Sequence, residues 1–151
     1  NIHAASSSYP GRDPHHFAVY DSVSEYGATM HFMSENVDEG SIIDVEFFDV
    51  KETDMPVDIL NRSITSGLSL LKSFLKSYKK GNTPKANPSY SWNGKKRSRN
   101  DFMKLCEITP NISAEEFSRR YKACQMPGYQ NLYFNLYGKR FVLQIDGENN
   151  E

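Results

Sequence analysis

Three short stretches hold the residue types that acyl-group chemistry needs. Asn1 and His3 stand two positions apart, so on a strand their side chains share a face. The stretch Gly27-Ala28-Thr29-Met30-His31-Phe32-Met33 combines β-branched and aromatic residues and reads as a strand. The loop Val37-Asp38-Glu39-Gly40, followed by Ile42-Ile43, places a carboxylate beyond that strand, at a sheet edge where it can orient an imidazole. An amide, an imidazole and a carboxylate together suit acyl transfer. The amide N–H stabilises an oxyanion, the imidazole handles a proton and the carboxylate fixes the ring. Spacing alone argues weakly, because an Asn-x-His pair is structural rather than catalytic by roughly three to one.

Other chemistry-bearing residues have plainer readings. His15 and His16 fall at a helix start, where a surface or substrate-loop role outweighs catalysis by about four to one. Arg12 suits phosphate or loop positioning and equally suits a plain surface. The basic run Lys95, Lys96, Arg97 and Arg99 can touch tRNA or a pyrophosphate, but beside a linker it more often is a solvated turn. Tyr129, Tyr133, Phe134 and Tyr137 can stack on a base; hairpin packing or a dimer contact is the commoner use. Cys106 and Cys124 lack CxxC spacing, so the expectation is two buried free thiols rather than a metal or redox site.

Elements must position these residues. Asn1 to His3 reads as the end of a buried strand, and the small and polar residues up to Arg12 as a loop. Asp13 is the expected cap of a helix with Pro14 at its first position, and Phe17, Ala18 and Tyr20 face inward. Gly27 is expected to break the chain before a strand over 28–33, and Ile42 to Val50 to form another. The spacing of Val57, Leu60, Ile64, Leu68, Leu71 and Leu75 predicts a long helix over 56–80 with these residues as its inward face. Thr53 or Asp54 caps it and Gly81 ends it. Residues 82–98, rich in Pro and Asn and holding Trp92, read as a linker. Asp101 to Cys106 and Ser113 to Cys124 are short helices, the second opened by a capping box of Ser113 and Glu116. Asn131 to Tyr137 and Lys139 to Ile145 form a hairpin turning at Gly138, with a frayed polar end from Asp146 to Glu151.

Composition narrows the classes. The 151 residues make one domain, with room for a small appendage, and 38% hydrophobic with 25% charged residues is ordinary for a globular protein. Eighteen basic and 19 acidic residues nearly cancel, so no overall field draws the chain to nucleic acid or lipid. No apolar run approaches the ~18 residues of a membrane span, and from the polar opening no secretory leader is expected. A chain opening on strand-like Asn1 is expected to be a fragment whose N-terminal half is missing, with a cleaved precursor as the competing explanation.

The succession Asn1-x-His3, Pro10-Gly11-Arg12, Gly27-x-Thr29-x-His31-Phe32 and Val37-Asp38-x-Gly40-x-Ile42-Ile43 resembles the catalytic half of the 10-formyltetrahydrofolate-dependent formyltransferases. The combined pattern is specific and covers about the first 50 residues. The resemblance implies part of a Rossmann-like α/β sheet, followed here by a small α+β tail with a hairpin. It implies Asn1, His3 and Asp38 as catalytic residues, and 10-formyltetrahydrofolate as co-substrate beside Val37, Asp38, Gly40 and Ile42. The acceptor amine attacks the formyl carbon, Asn1 and protonated His3 stabilise the oxyanion, and Asp38 orients His3; no metal is required. His31 matches a histidine in several members, and a packed, hydrogen-bonded role is the safer reading. Ser6-Ser7-Ser8-Tyr9-Pro10 departs from the Ser-Leu-Leu-Pro run of many members, which alters local substrate contacts.

The tail selects among members. A glycinamide ribonucleotide enzyme ends soon after the long helix, and a methionyl-tRNA enzyme carries a five-stranded barrel there. Two short helices and a hairpin instead resemble the tails of nucleotide-sugar N-formyltransferases. The expected layout is therefore a catalytic half over 1–81, a linker over 82–98 and a tail over 99–151. The expected activity is formylation of a nucleotide-linked amino sugar in the cytoplasm, by a possible homodimer. Methionyl-tRNA formylation is the alternative, and an inactive binding or scaffold fragment the reading of another class. By itself the fragment is expected to be inactive and poorly stable.

Overall fold

The computed structural model describes residues 1–144; the expected strand end at Ile145 and the terminal stretch from Asp146 to Glu151 lie outside them. Strand β1 (Ile2–His3) pairs antiparallel with β2 (Glu25–His31), setting Ile2 opposite Met30 and His3 opposite Thr29. β2 pairs antiparallel with β3 (Ile42–Asp49), which completes an open sheet of order β1-β2-β3. With helices packed on it, the layer is of the expected α/β class. β2 starts at Glu25, so Gly27 lies inside the strand instead of breaking the chain before it. A Cβ there would come within 2.3 Å of the Glu46 carbonyl oxygen, so glycine permits close pairing with β3.

Alternation along β1 and β2 divides the sheet into two working faces. Ile2, Ala28 and Met30 meet helix α2 (Pro56–Tyr78) around Leu70 and Phe74. Asn1, His3, Thr29 and His31 point to the opposite face, where the site is built.

The inward face of α2 differs from the expected one. Ile59, Ser63, Ser66, Gly67 and Leu70 are buried, whereas Ile64, Leu68, Leu71 and Leu75 are exposed. The buried row lies one residue, about 100°, round the helix from the predicted row. Small residues win because the helix sits close to the sheet: a Cβ on Gly67 would meet Ile2 Cγ2 at 3.1 Å. Ser63 hides its hydroxyl by donating to the Ile59 carbonyl at 2.8 Å.

Caps also differ. Met55 is the N-cap of α2, with its N–H held by the Asp58 carboxylate at 2.9 Å; Asp54 instead accepts the Lys51 N–H and pairs with Arg62. Asp13 precedes α1 (Pro14–Tyr20) in a left-handed conformation and makes no side-chain cap bond, since its φ of 54° carries the carboxylate away. Helix α3 (Arg99–Cys106) starts before Asp101, capped reciprocally by Ser98 and Asp101. At α4 (Ala114–Cys124) Ser113 accepts the Glu116 N–H, but the Glu116 carboxylate turns to Arg120 and the Tyr20 hydroxyl, so the capping box is only half formed. Hairpin β4 (Tyr133–Leu136) and β5 (Lys139–Val142) turns through Tyr137 and Gly138, whose φ of 49° and 74° suit a two-residue turn.

One apolar core joins sheet, α1 and tail through Ala5, Phe17, Tyr26, Ile59, Leu105, Ala123 and Leu132. His16 is buried within this junction and its Nδ1–H donates to the Ala123 carbonyl at 2.6 Å, which replaces the expected surface role. Cys106 and Cys124 are buried free thiols there. Contact with Cys106 and burial push the Cys124 thiol far above its ordinary range.

Candidate active site

Asn1, His3, Asp38 and His31 converge on the sheet face opposite α2. Position 38 has a φ of 53°, which an L-residue rarely adopts and which Asp tolerates better than most. That bend carries the carboxylate under the sheet edge, where it is 4% exposed. Asp38 Oδ2 accepts the Gly11 N–H at 2.8 Å and lies 3.5 Å from His3 Nδ1, while Oδ1 lies 3.8 Å from His31 Nε2. Gly11 is the residue this requires. Its φ is 97°, and a Cβ would strike the Arg97 carbonyl oxygen at 2.2 Å.

His3 is held at both ends. Its Nε2–H donates to the Tyr9 carbonyl at 2.9 Å, and its Nδ1 faces Asp38. Both nitrogens therefore face oxygen acceptors, a setting that accommodates a doubly protonated ring.

His31 is held differently. Its Nδ1 lies 2.8 Å from the Phe32 carbonyl, which only accepts, so Nδ1 carries the proton. Nε2 is then the acceptor for the Asn1 amide, at 3.2 Å. Burial lowers the His31 pKa from its ordinary value, against the opposing pull of the Phe32 carbonyl and Asp38. The imidazole thus engages one N–H of the Asn1 amide, and the second is not part of this bond.

Of the expected folate-side residues, Gly40 packs against the end of β2, where a Cβ would fall 1.7 Å from the Phe32 carbonyl oxygen. Val37 is 68% exposed, whereas Ile42 is buried at 2%, so Ile42 offers backbone rather than side chain. Glu39, Gly40, Ser41 and Ile42 line a hollow of about 460 Å³ with residues 86–88 and 90–92.

Several site contributors carried no signal in the sequence reading. The Tyr9 carbonyl, the Gly11 N–H and the Phe32 carbonyl are backbone groups, which no side-chain pattern reveals. Trp92 is different: a lone tryptophan in a polar stretch was a visible sign. Its indole N–H donates to the Gly40 carbonyl at 2.8 Å.

The remaining candidates lie elsewhere. Arg12 is exposed, with Asp13 at 3.9 Å. Lys96 pairs with Glu39 and Arg97 covers the Phe17 ring, so part of the basic run is used within the fold. Tyr133 is buried and donates to the Met103 carbonyl, and Phe134 stacks on Phe141. Among the described residues no helix is long and apolar enough to cross a membrane.

Residues 1–75 match the formyl transferase family. Over 72 residues, 47% of the chain, the sequence is 36% identical to the methionyl-tRNA formyltransferase of Natranaerobius thermophilus, of which it covers 23%. A 4-N formyltransferase from Francisella tularensis superposes on 96% of the chain with a TM-score of 0.77 at 25% identity. A sugar N-formyltransferase from a Shewanella species does so over 96% with a TM-score of 0.80 at 22% identity. The chain spans 60% and 59% of those two proteins, respectively.

Proposed function

We propose, for a chain whose residues 1–75 belong to the formyl transferase family, that it moves a formyl group from 10-formyltetrahydrofolate to the amine of a nucleotide-linked amino sugar. The folate supplies an activated formyl carbon. Asn1 donates its second amide N–H to the oxygen that becomes negative as the amine attacks. His3 takes the proton that the attacking amine loses and returns it to the folate nitrogen as the bond between that nitrogen and the formyl carbon breaks, while Asp38 balances the imidazolium in between. Asp38, Gly40, the Ile42 backbone and the exposed Val37 border the folate.

The observation that supports this acceptor is the reach of the fold likeness. It covers 96% of the chain and so takes in the tail as well as the sheet, in likeness to the Shewanella sugar N-formyltransferase. In this reading 1–81 is the C-terminal half of a catalytic domain, 82–98 connects, and 99–151 is a tail. Phe134, Leu136 and Phe141, exposed on the hairpin, are the surface through which two copies meet in the cytoplasm.

A second reading, methionyl-tRNA as acceptor, is favoured by the 36% identity with such an enzyme. The full-length protein, given 10-formyltetrahydrofolate with a panel of nucleotide-linked amino sugars or with methionyl-tRNA, separates the two. Formylation of a sugar nucleotide is the expected result. Formylation of methionyl-tRNA alone overturns the acceptor, and turnover with neither leaves a binding or scaffold role.

A further inference from the structure

Residues 82–98 contain no helix or full strand, yet their backbone is tied to the start of β3 and to the loop between β1 and α1. The Asn87 N–H donates to the Ile42 carbonyl at 2.8 Å, and the Asn93 N–H to the Ser7 carbonyl at 3.4 Å. Gly94 lies so close to Ser8 that a Cβ would fall 1.6 Å from its carbonyl oxygen. The Arg97 N–H donates to the Pro10 carbonyl at 3.0 Å and the Arg12 N–H returns to the Arg97 carbonyl at 2.9 Å. One segment therefore straps the start of β3 to the loop carrying the Tyr9 carbonyl and the Gly11 N–H, and its side chains Trp92 and Lys96 reach the loop of Asp38 at Gly40 and Glu39.

Trp92 sits in the middle of this strap. Its ring stands edge-on to His31, centroids 5.1 Å apart at 86°, and to His3, 5.9 Å apart at 64°. It belongs to neither apolar core cluster. A tryptophan placed only for burial would pack on aliphatic side chains; this one packs on two imidazoles and donates its N–H to Gly40, two residues from Asp38.

We infer that Trp92 is a positioning residue for the acyl-transfer centre: its N–H holds the turn that presents Asp38, and its ring fixes the planes of His3 and His31. The inference rests on the catalytic reading of Asn1, His3 and Asp38. Indole is the side chain that offers both a donor at a fixed point and a ring large enough to reach two imidazoles at once. The left-handed backbone at Asp38 persists only where its surroundings hold it, and the Gly40 carbonyl is the point at which the strap does so. Small displacements matter here, since about 1 Å of misplacement costs on the order of 100-fold in rate.

The test uses the full-length protein with 10-formyltetrahydrofolate and its acceptor. Trp92→Phe keeps a ring and deletes the N–H; Trp92→Ala deletes both. The expected result is a kcat loss on the order of 10-fold for Trp92→Phe and 100-fold for Trp92→Ala, with KM little changed. The pH profile of kcat should be displaced in both variants, because without the N–H on Gly40 Asp38 is no longer held against His3. His3→Ala and Asp38→Ala are run in parallel. If those two retain turnover, the catalytic reading fails. If they lose it while Trp92→Phe keeps kcat within about 2-fold of the parent, or loses kcat with an unmoved pH profile, Trp92 positions nothing. Should Trp92→Ala fail to melt cooperatively, Trp92→Phe decides alone.

Discussion

Asn1 Nδ2 lies 3.2 Å from Nε2 of His31, so in the proposed mechanism the oxyanion donor is aimed by a second histidine. His31 is 3% exposed and its other nitrogen is spent on the Phe32 carbonyl, which leaves it one tautomer and one orientation. His31→Ala in the full-length protein should lower kcat by roughly 10-fold, less than the 10²–10³-fold typical of deleting a donor outright. His31→Gln, whose amide oxygen can accept from Asn1, should recover part of the loss. Equal kcat for both variants and the parent would leave His31 with a packing role only.

Removing the proton carrier or its partner should cost more. His3→Ala and Asp38→Asn are each expected to lower turnover by about 10²–10⁴-fold. Asn suits the left-handed backbone at position 38, so this variant deletes the charge without forcing the turn. Thermal melts of both should stay near the parent. A variant that turns over at the parental rate removes that residue from the mechanism.

Stability should fall as the solution is acidified below neutrality. Burial, helped by neighbouring His16, pushes the His15 pKa down to about 3. Burial also lowers His16 and His31, although carbonyls of Ala123 and Phe32 oppose it. Each of the three therefore binds protons less readily in the fold than in the unfolded chain, whose ordinary value is 6.5. The unfolded state then holds more protons, so stability is lost as pH falls through 6.5 and below. Each group contributes up to about 1.4 kcal/mol per pH unit. Denaturant melts at pH 7.5, 6 and 5 read this slope, and His16→Gln should flatten it; a stability independent of pH over this range contradicts the assignment.

How far the sequence could be read depended on the kind of interaction. Asn1 and His3 share a face because strand side chains alternate, and the position of Asp38 just past a strand end brought it within reach; both follow from local rules. The ties made by residues 87–97 were hidden, because hydrogen bonds between backbones distant in sequence leave no mark on composition. Pro and Asn there read as a connection, its basic run read as a solvated turn, and Trp92 was visible without a role. The face of α2 was misread for another reason. Hydrophobic periodicity finds the most apolar row, but close packing on Ile2 and Ala28 selects for small size, and Ser63, Ser66 and Gly67 are invisible to a polarity scan.

That misreading gives a test in which the two faces of α2 answer differently. If the structure is right, Gly67→Leu and Ser63→Leu must overfill the contact with β1 and β2 and destabilise by about 1–3 kcal/mol each. Replacing Leu68 and Leu75 by Glu should cost far less, within about 0.5 kcal/mol, since about half of each residue is already exposed to water. The same two replacements should reduce aggregation of residues 1–151, because Ile64, Leu68, Leu71, Leu75 and Tyr78 expose a row of apolar side chains on one helix. Chemical denaturation and light scattering on the four variants measure both effects. The opposite pattern, with Leu68 and Leu75 carrying the stability, would turn the helix by one residue and return the inward face to the row that hydrophobic spacing picks out.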